Sequence, residues 1–204
     1  MTELQWEPVI HLPANLTVEF AADVLTAGDP GPWCQRRAAE LLGPAAGRAQ
    51  ARRLARCLEE YVTYFRSGNV PSYAAVYFYP DFARIPPRAM TEIYVVAEDP
   101  ATGPMTLARA RELYGTLDER SAGDPGITET EVPAGPALRA HRHRKMDPGK
   151  RRSRIGEEVA WVICPLGSTQ AVMMITYWAE PVFSKAAMTI ADDMARNFRI
   201  KPAA

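Results

Sequence analysis

Apolar side chains recur along this chain with two different periods, and the alternation between them lays out its elements. Between residues 46 and 66, Leu54, Leu58, Tyr61, Val62 and Phe65 fall at i, i+4, i+7, i+8 and i+11, which is one face of a helix. Arg52, Arg53, Arg56, Glu59, Glu60 and Arg66 mostly cover the rest of the cylinder, and Gly68-Asn69 closes it. A shorter helix is expected before it, opened by Asp29-Pro30-Gly31-Pro32 with Asp29 as N-cap, and stopped by Gly43-Pro44. Thr106 caps a third helix lined by Leu107, Ala110, Leu113, Tyr114 and Leu117. The last helix starts near Ser184 and carries Ala187, Met188, Ile190, Ala191, Met194 and Phe198 on one side, leaving residues 201–204 as a frayed tail.

Period two marks the strands. Leu16, Val18 and Phe20 alternate, and residues 6–12, 73–79, 91–97 and 137–145 also have strand composition. Residues 127–132 alternate strictly but are polar on both faces, which predicts an edge strand. Residues 159–164 and 171–177 are the most apolar of all and belong at the sheet centre. Consecutive strands joined by short turns predict an α+β fold, a mostly antiparallel β-sheet flanked by helices. No internal repeat occurs, and the Pro/Gly clusters are too short to separate domains. The expectation is a single α+β domain over residues 1–204, with 29–68 as a helical elaboration.

Charge changes the picture only locally. The 204 residues hold 24 Lys+Arg against 24 Asp+Glu, so no overall preference for nucleic acid or membrane follows. The richness in Ala, Arg and Pro points to a bacterial chain. The N-terminus lacks a basic stretch followed by an apolar one, so it does not read as a signal peptide, and no apolar run approaches the roughly 20 residues that span a bilayer. Cys34, Cys57 and Cys164 are odd in number, far apart and without metal spacing, which predicts buried free thiols and a cytoplasmic location.

Eight of the 24 basic residues crowd into sixteen positions: Arg139, Arg142, Arg144, Lys145, Lys150, Arg151, Arg152 and Arg154, with Asp147 the only acid among them. If residues 137–145 pair with 159–164, this run is a hairpin arm with its tip near Pro148-Gly149. Such an arm can hold an acidic protein surface or phosphates through charge-assisted hydrogen bonds. It lacks the interleaved aromatics of a base-stacking platform, so nucleic acid is a poor fit. The competing reading is a solvated loop balanced by Glu157 and Glu158.

Catalytic signals are missing. There is no Gly-x-Ser-x-Gly elbow and no phosphate-cradling glycine motif, and only three histidines are present. The doublets Glu59-Glu60 and Asp192-Asp193 sit on helices, where adjacent residues diverge, and read as solvated faces. His141-Arg142-His143 puts two imidazoles on one strand face, an arrangement some zinc sites use. A third ligand is needed, the only other histidine is His11, and the neighbouring arginines oppose a cation. No metal or other cofactor is therefore expected. The aromatic segment Tyr73, Tyr77, Phe78, Tyr79, Phe82 with Ile85-Pro86-Pro87-Arg88 is read as core strand plus loop in preference to a docking groove.

One stretch carries a family resemblance. Glu131-Val132-Pro133-Ala134-Gly135-Pro136-Ala137-Leu138-Arg139, a following Val/Ile strand, then Ala171-Val172-Met173-Met174-Ile175-Thr176-Tyr177 and a closing helix resemble the PsbP-like family. Ile93-Tyr94-Val95-Val96 and the helix from Thr106 fit the same layout, so the resemblance covers roughly residues 73–200, while 29–68 departs from it. That group includes photosystem extrinsic subunits, Ran-GTPase-binding Mog proteins and uncharacterised actinobacterial proteins. The resemblance implies an α/β/α sandwich, no catalytic residues, and action by binding other proteins. The expected function is a non-enzymatic adaptor whose basic arm binds another protein, an acidic one by charge. The alternative is a small-molecule binder or enzyme with a pocket between the sheet and the 29–68 helices.

Overall fold

The computed structural model describes residues 6–9, 17–26, 28–79, 81–83, 85–146 and 153–202. In chain order these form β1 (Trp6–Val9), β2 (Thr17–Phe20), α1 (Ala22–Thr26), α2 (Gly31–Leu42), α3 (Arg48–Arg66), β3 (Tyr73–Tyr77) and β4 (Ala89–Val96). Then follow α4 (Leu107–Gly115), β5 (Gly126–Val132), β6 (Gly135–Lys145), β7 (Ile155–Ile163), β8 (Ala171–Trp178), a 3-10 turn over Pro181–Phe183, α5 (Ser184–Asn197) and β9 (Arg199–Pro202). Seven strands make one sheet in the order β2-β3-β4-β8-β7-β6-β5, and β1 pairs with β9 in a second, two-stranded sheet. The fold is α+β. β5 lies at the sheet edge and β7 and β8 lie toward its middle, where their apolar sequences put them.

The chain divides into two compact units, residues 14–92 and residues 93–204 with β1. In the first, β2 and β3 pair antiparallel with Val18 opposite Val76 and Phe20 opposite Ala74. These four side chains join Leu54, Leu58, Val62 and Phe65 of α3 in one cluster, each at most 1% exposed. Burial of each large apolar side chain contributes about 1.5–3 kcal/mol, which is what holds the amphipathic α3 in place. α1 has no strong sequence signal. Its terminal carbonyls are satisfied from α3, because Arg66 Nε donates to the Leu25 carbonyl at 2.8 Å and Nη2 to that of Val24 at 2.6 Å. At the start of α2 the N-cap position belongs to Pro30 and not to Asp29, although Asp29 Oδ1 accepts from the Gly31 amide at 2.9 Å.

In the second unit β5, β6, β7 and β8 form a consecutive antiparallel meander. The tight turn into β6 uses Gly135 at φ +141°, where a Cβ would come within 2.7 Å of the Cys164 carbonyl oxygen. One face of the meander is covered by α4, whose Ala110 and Tyr114 pack on Leu138, Ala140, Ala160 and Val162. α5 covers the other face, and Ala187, Ala191, Met194 and Ala195 of that helix are buried. Thr106 caps α4, its hydroxyl accepting from the Arg109 amide at 3.2 Å. Two expectations fail here. Leu113 and Leu117 are 50% and 55% exposed, because the short α4 turns only Ala110 and Tyr114 squarely onto the sheet. Of the expected frayed tail over 201–204, residues 201 and 202 instead belong to strand β9, which finds backbone partners in β1, and 203–204 lie outside the described residues.

Candidate functional site

The β6–β7 hairpin carries the basic run. Its register sets Arg139 opposite Trp161, His141 opposite Val159, Arg142 opposite Glu158, His143 opposite Glu157 and Lys145 opposite Ile155. Since side chains alternate across a strand, the run is split between the two faces of the sheet.

On the α4 face, Arg142 donates from Nε to Glu158 Oε1 at 2.8 Å, with Nη2 closer still, and this pair is 16% and 4% exposed. The same guanidinium lies 4.6 Å over the ring of Tyr114. Burial raises the Tyr114 phenol well above its ordinary value and the Glu158 charge adds to this, so it stays protonated. Arg144 Nη2 reaches Asp118 Oδ2 at 3.1 Å. An open cleft of about 650 Å³ runs between α4 and this face, lined by Arg109, Tyr114, Asp118, Arg142, Arg144 and Met173 among others. Its guanidinium groups are already held, Arg109 by the carbonyls of Thr102, Gly103 and Pro104 at 3.1, 2.6 and 2.8 Å.

On the α5 face, Arg139 grips Asp192 with two bonds, Nε to Oδ1 at 2.7 Å and Nη2 to Oδ2 at 3.3 Å, and Trp161 Nε1 donates to the same carboxylate at 3.2 Å. Asp192 is thus an anchor and not part of a solvated face. Farther along, His141 Nε2 lies 2.9 Å from Glu157 Oε2 and His143 Nε2 lies 4.0 Å from the same oxygen. The Ser184 hydroxyl donates to Glu157 Oε1 and accepts from Trp178 Nε1 at 3.0 Å. Burial works against ionisation of Glu157. The hydrogen bonds from Ser184, His141 and Trp178 outweigh it and hold the carboxyl below its ordinary value.

At the distal end of the hairpin the environment is different. Among the described residues, Lys145 Nζ is bonded to the Glu119 carbonyl, at 3.4 Å. Arg154 is exposed, and among the described residues no carboxylate lies within ion-pair distance of it. Met146 and Ile155, 45% and 43% exposed, stand beside them. Lys150, Arg151 and Arg152, with the expected tip at Pro148-Gly149, lie outside the described residues. Of the eight residues in the run, then, Arg139, Arg142 and Arg144 are joined to carboxylates of their own chain. The partners Asp118 and Asp192 are distant in sequence and carry no motif; the cross-strand Glu157-Glu158 doublet was the one visible signal.

In the unit of residues 14–92 the space between the helices and β2–β3 is filled by Phe20, Leu54, Leu58 and Phe65. A groove of about 510 Å³ in this unit is lined by Arg53, Cys57, Tyr61, Tyr64, Ile85 and Met90 among others. Cys34 and Cys57 are buried, and burial pushes both thiols up to about 11, with Glu59 and Glu60 adding to the effect. Cys164 is only half-buried, since its Sγ sits at the end of β7 near the Met105 carbonyl. Among the described residues no helix is long and apolar enough to cross a membrane. Fold and site together define an α+β protein with a charged hairpin at one end of its sheet. No protein-family model matches the chain, and no curated protein matches it.

Proposed function

We propose that the protein is a non-enzymatic adaptor of the cytoplasm that binds an acidic, partly apolar segment of another protein at the distal end of the β6–β7 hairpin. The observation that carries this reading is the make-up of that end, where exposed Met146 and Ile155 stand among Lys145 and Arg154, and the sequence adds Lys150, Arg151 and Arg152. Apolar area supplies affinity, and the surrounding cations choose an acidic partner and speed its encounter. The PsbP-like resemblance implies a protein that works by binding others, which agrees with this reading. The proximal arginines are assigned no part in the contact, because Asp192, Glu158 and Asp118 already occupy them.

The test separates the two groups. Lysate of the host, with and without nuclease treatment, is captured on the wild-type protein and on a distal variant with Lys145→Ala, Lys150→Ala, Arg151→Ala, Arg152→Ala and Arg154→Ala. A captured protein should lose roughly tenfold in affinity for the variant, and its affinity for the wild type should fall with salt. An identical set of captured proteins on both would overturn the reading. Binding that disappears with nuclease would replace the protein partner by nucleic acid.

A further inference from the structure

We propose that His141, His143 and Glu157 form a binding site for a single divalent transition ion of the Zn²⁺ class, with its remaining coordination positions open to solvent. This does not rest on the adaptor reading. Three observations carry it.

The first is the donor set and its spacing. Two imidazoles and a carboxylate offer ligand atoms that all lie within 4.8 Å of one another. Ligands about 2.0–2.1 Å from a tetrahedral ion stand roughly 3.3 Å apart. The two distances from Glu157 Oε2, 2.9 Å to His141 and 4.0 Å to His143, bracket that value, so a rotation of His143 about its side-chain bonds closes the set. His143 is the ligand free to make it, being 49% exposed. Two histidines and one carboxylate holding an ion with positions to spare is the arrangement of exchange and catalytic sites, as distinct from closed structural ones.

The second is the shell behind the ligands. Glu157 Oε1 is held by the Ser184 hydroxyl, which is held by Trp178 Nε1. The Trp178 ring stacks on His141 at 6.2 Å with 12° between planes. Two of the three ligands are therefore oriented by one chain of contacts from β8 and the start of α5, the kind of support that ligating groups require.

The third is the electrostatics. Arg142 and Arg144 flank the histidines in sequence, but strand alternation sends them to the opposite face, where Glu158 and Asp118 neutralise them. Arg139 shares the histidine face and is paired with Asp192, while Lys145, also on that face, is directed to the Glu119 carbonyl. Among the described residues the repulsion expected from the sequence is thus largely offset, and the third ligand is supplied by the neighbouring strand.

The test uses the full chain stripped with a chelator and titrated separately with Zn²⁺ by calorimetry and with Co²⁺ by visible absorption. The expected result is saturable one-to-one binding with a Co²⁺ spectrum of nitrogen and oxygen ligation. His143→Gln keeps the size of an exposed side chain and should weaken binding by about 100-fold or more. Ser184→Ala, which touches no ion, should weaken it about tenfold. Melting temperatures of the stripped variants serve as the folding control, and His143→Gln should match the wild type. Absence of saturable binding to the wild type, binding that survives His143→Gln, or a sulfur-ligation spectrum would each overturn the proposal.

Discussion

The two faces of β6 start from the same kind of sequence and end in opposite conditions. On the α4 face Arg142 lies over Tyr114 and closes a largely buried ion pair with Glu158. On the α5 face His141, His143 and Glu157 make a looser cluster, with one imidazole half in water. The difference follows from what covers each face. α4 lays an aromatic ring over its arginine, whereas α5 gives its pairing carboxylate, Asp192, to Arg139 two positions earlier and leaves the histidines beside its own first residue, Ser184. Charges on one face are spent on folding. The donors on the other remain available for a ligand.

The sharpest way to break this contrast is to remove one buried partner. Glu158→Ala leaves the Arg142 guanidinium covered and unpaired, and should cost about 3–5 kcal/mol in urea unfolding. Replacing both members, Arg142→Met with Glu158→Leu, should cost far less or even stabilise, because the expense lies in the stranded charge. If the single and double variants lose equally, the pair is not the desolvated structural element described here. A smaller effect belongs to the α5 face. Arg139→Ala removes two bonds to Asp192 but leaves that carboxylate the Trp161 indole N–H, so about 1.5 kcal/mol should be lost. The rim pair Arg111–Glu129, 53% and 44% exposed, calibrates both, and Glu129→Ala should change stability by less than about 0.5 kcal/mol.

These energies also explain what could be read from the sequence. Elements governed by local period were legible: α3 from its apolar stripe, β5 from its two-sided polarity, β7 and β8 from their apolar runs. α1 was not, because five residues cannot sustain a helix alone and the stabilising Arg66 lies about forty positions away. β9 was not, because its strand character comes from pairing with β1 at the other end of the chain. The basic run was visible as composition, yet its meaning lay in alternation. Read as one charged arm it promised a single surface, but period two divides it. The His141/His143 pair was legible too, and Glu157 beside it was not, because it is register across the hairpin and not a local motif that puts Glu157 directly opposite His143.

A comparably small effect tests the edge of the α4 face. Asp118 meets Arg144 from the loop after α4 and is partly exposed. Burial alone would raise its carboxyl. The Ser121 hydroxyl, the Arg144 charge and the Arg120 amide N–H outweigh that and hold it below its ordinary value of 3.8. A carboxyl depressed in the folded state contributes stability that is complete above 3.8 and is lost as pH falls through the folded value below it. Asp118→Asn should therefore cost about 0.5 kcal/mol at neutral pH, the size of an exposed pair. The gap between variant and wild type should close as unfolding is followed down through 3.8 into more acid solution. Glu157 and Asp99, also depressed, titrate in both proteins and cancel in the difference. A gap that persists in acid would mean that Asp118 acts through its neutral hydrogen bonds to Ser121 and not through charge. The α4 face would then end at Glu158, and Arg144 would count with the distal, unspent cations.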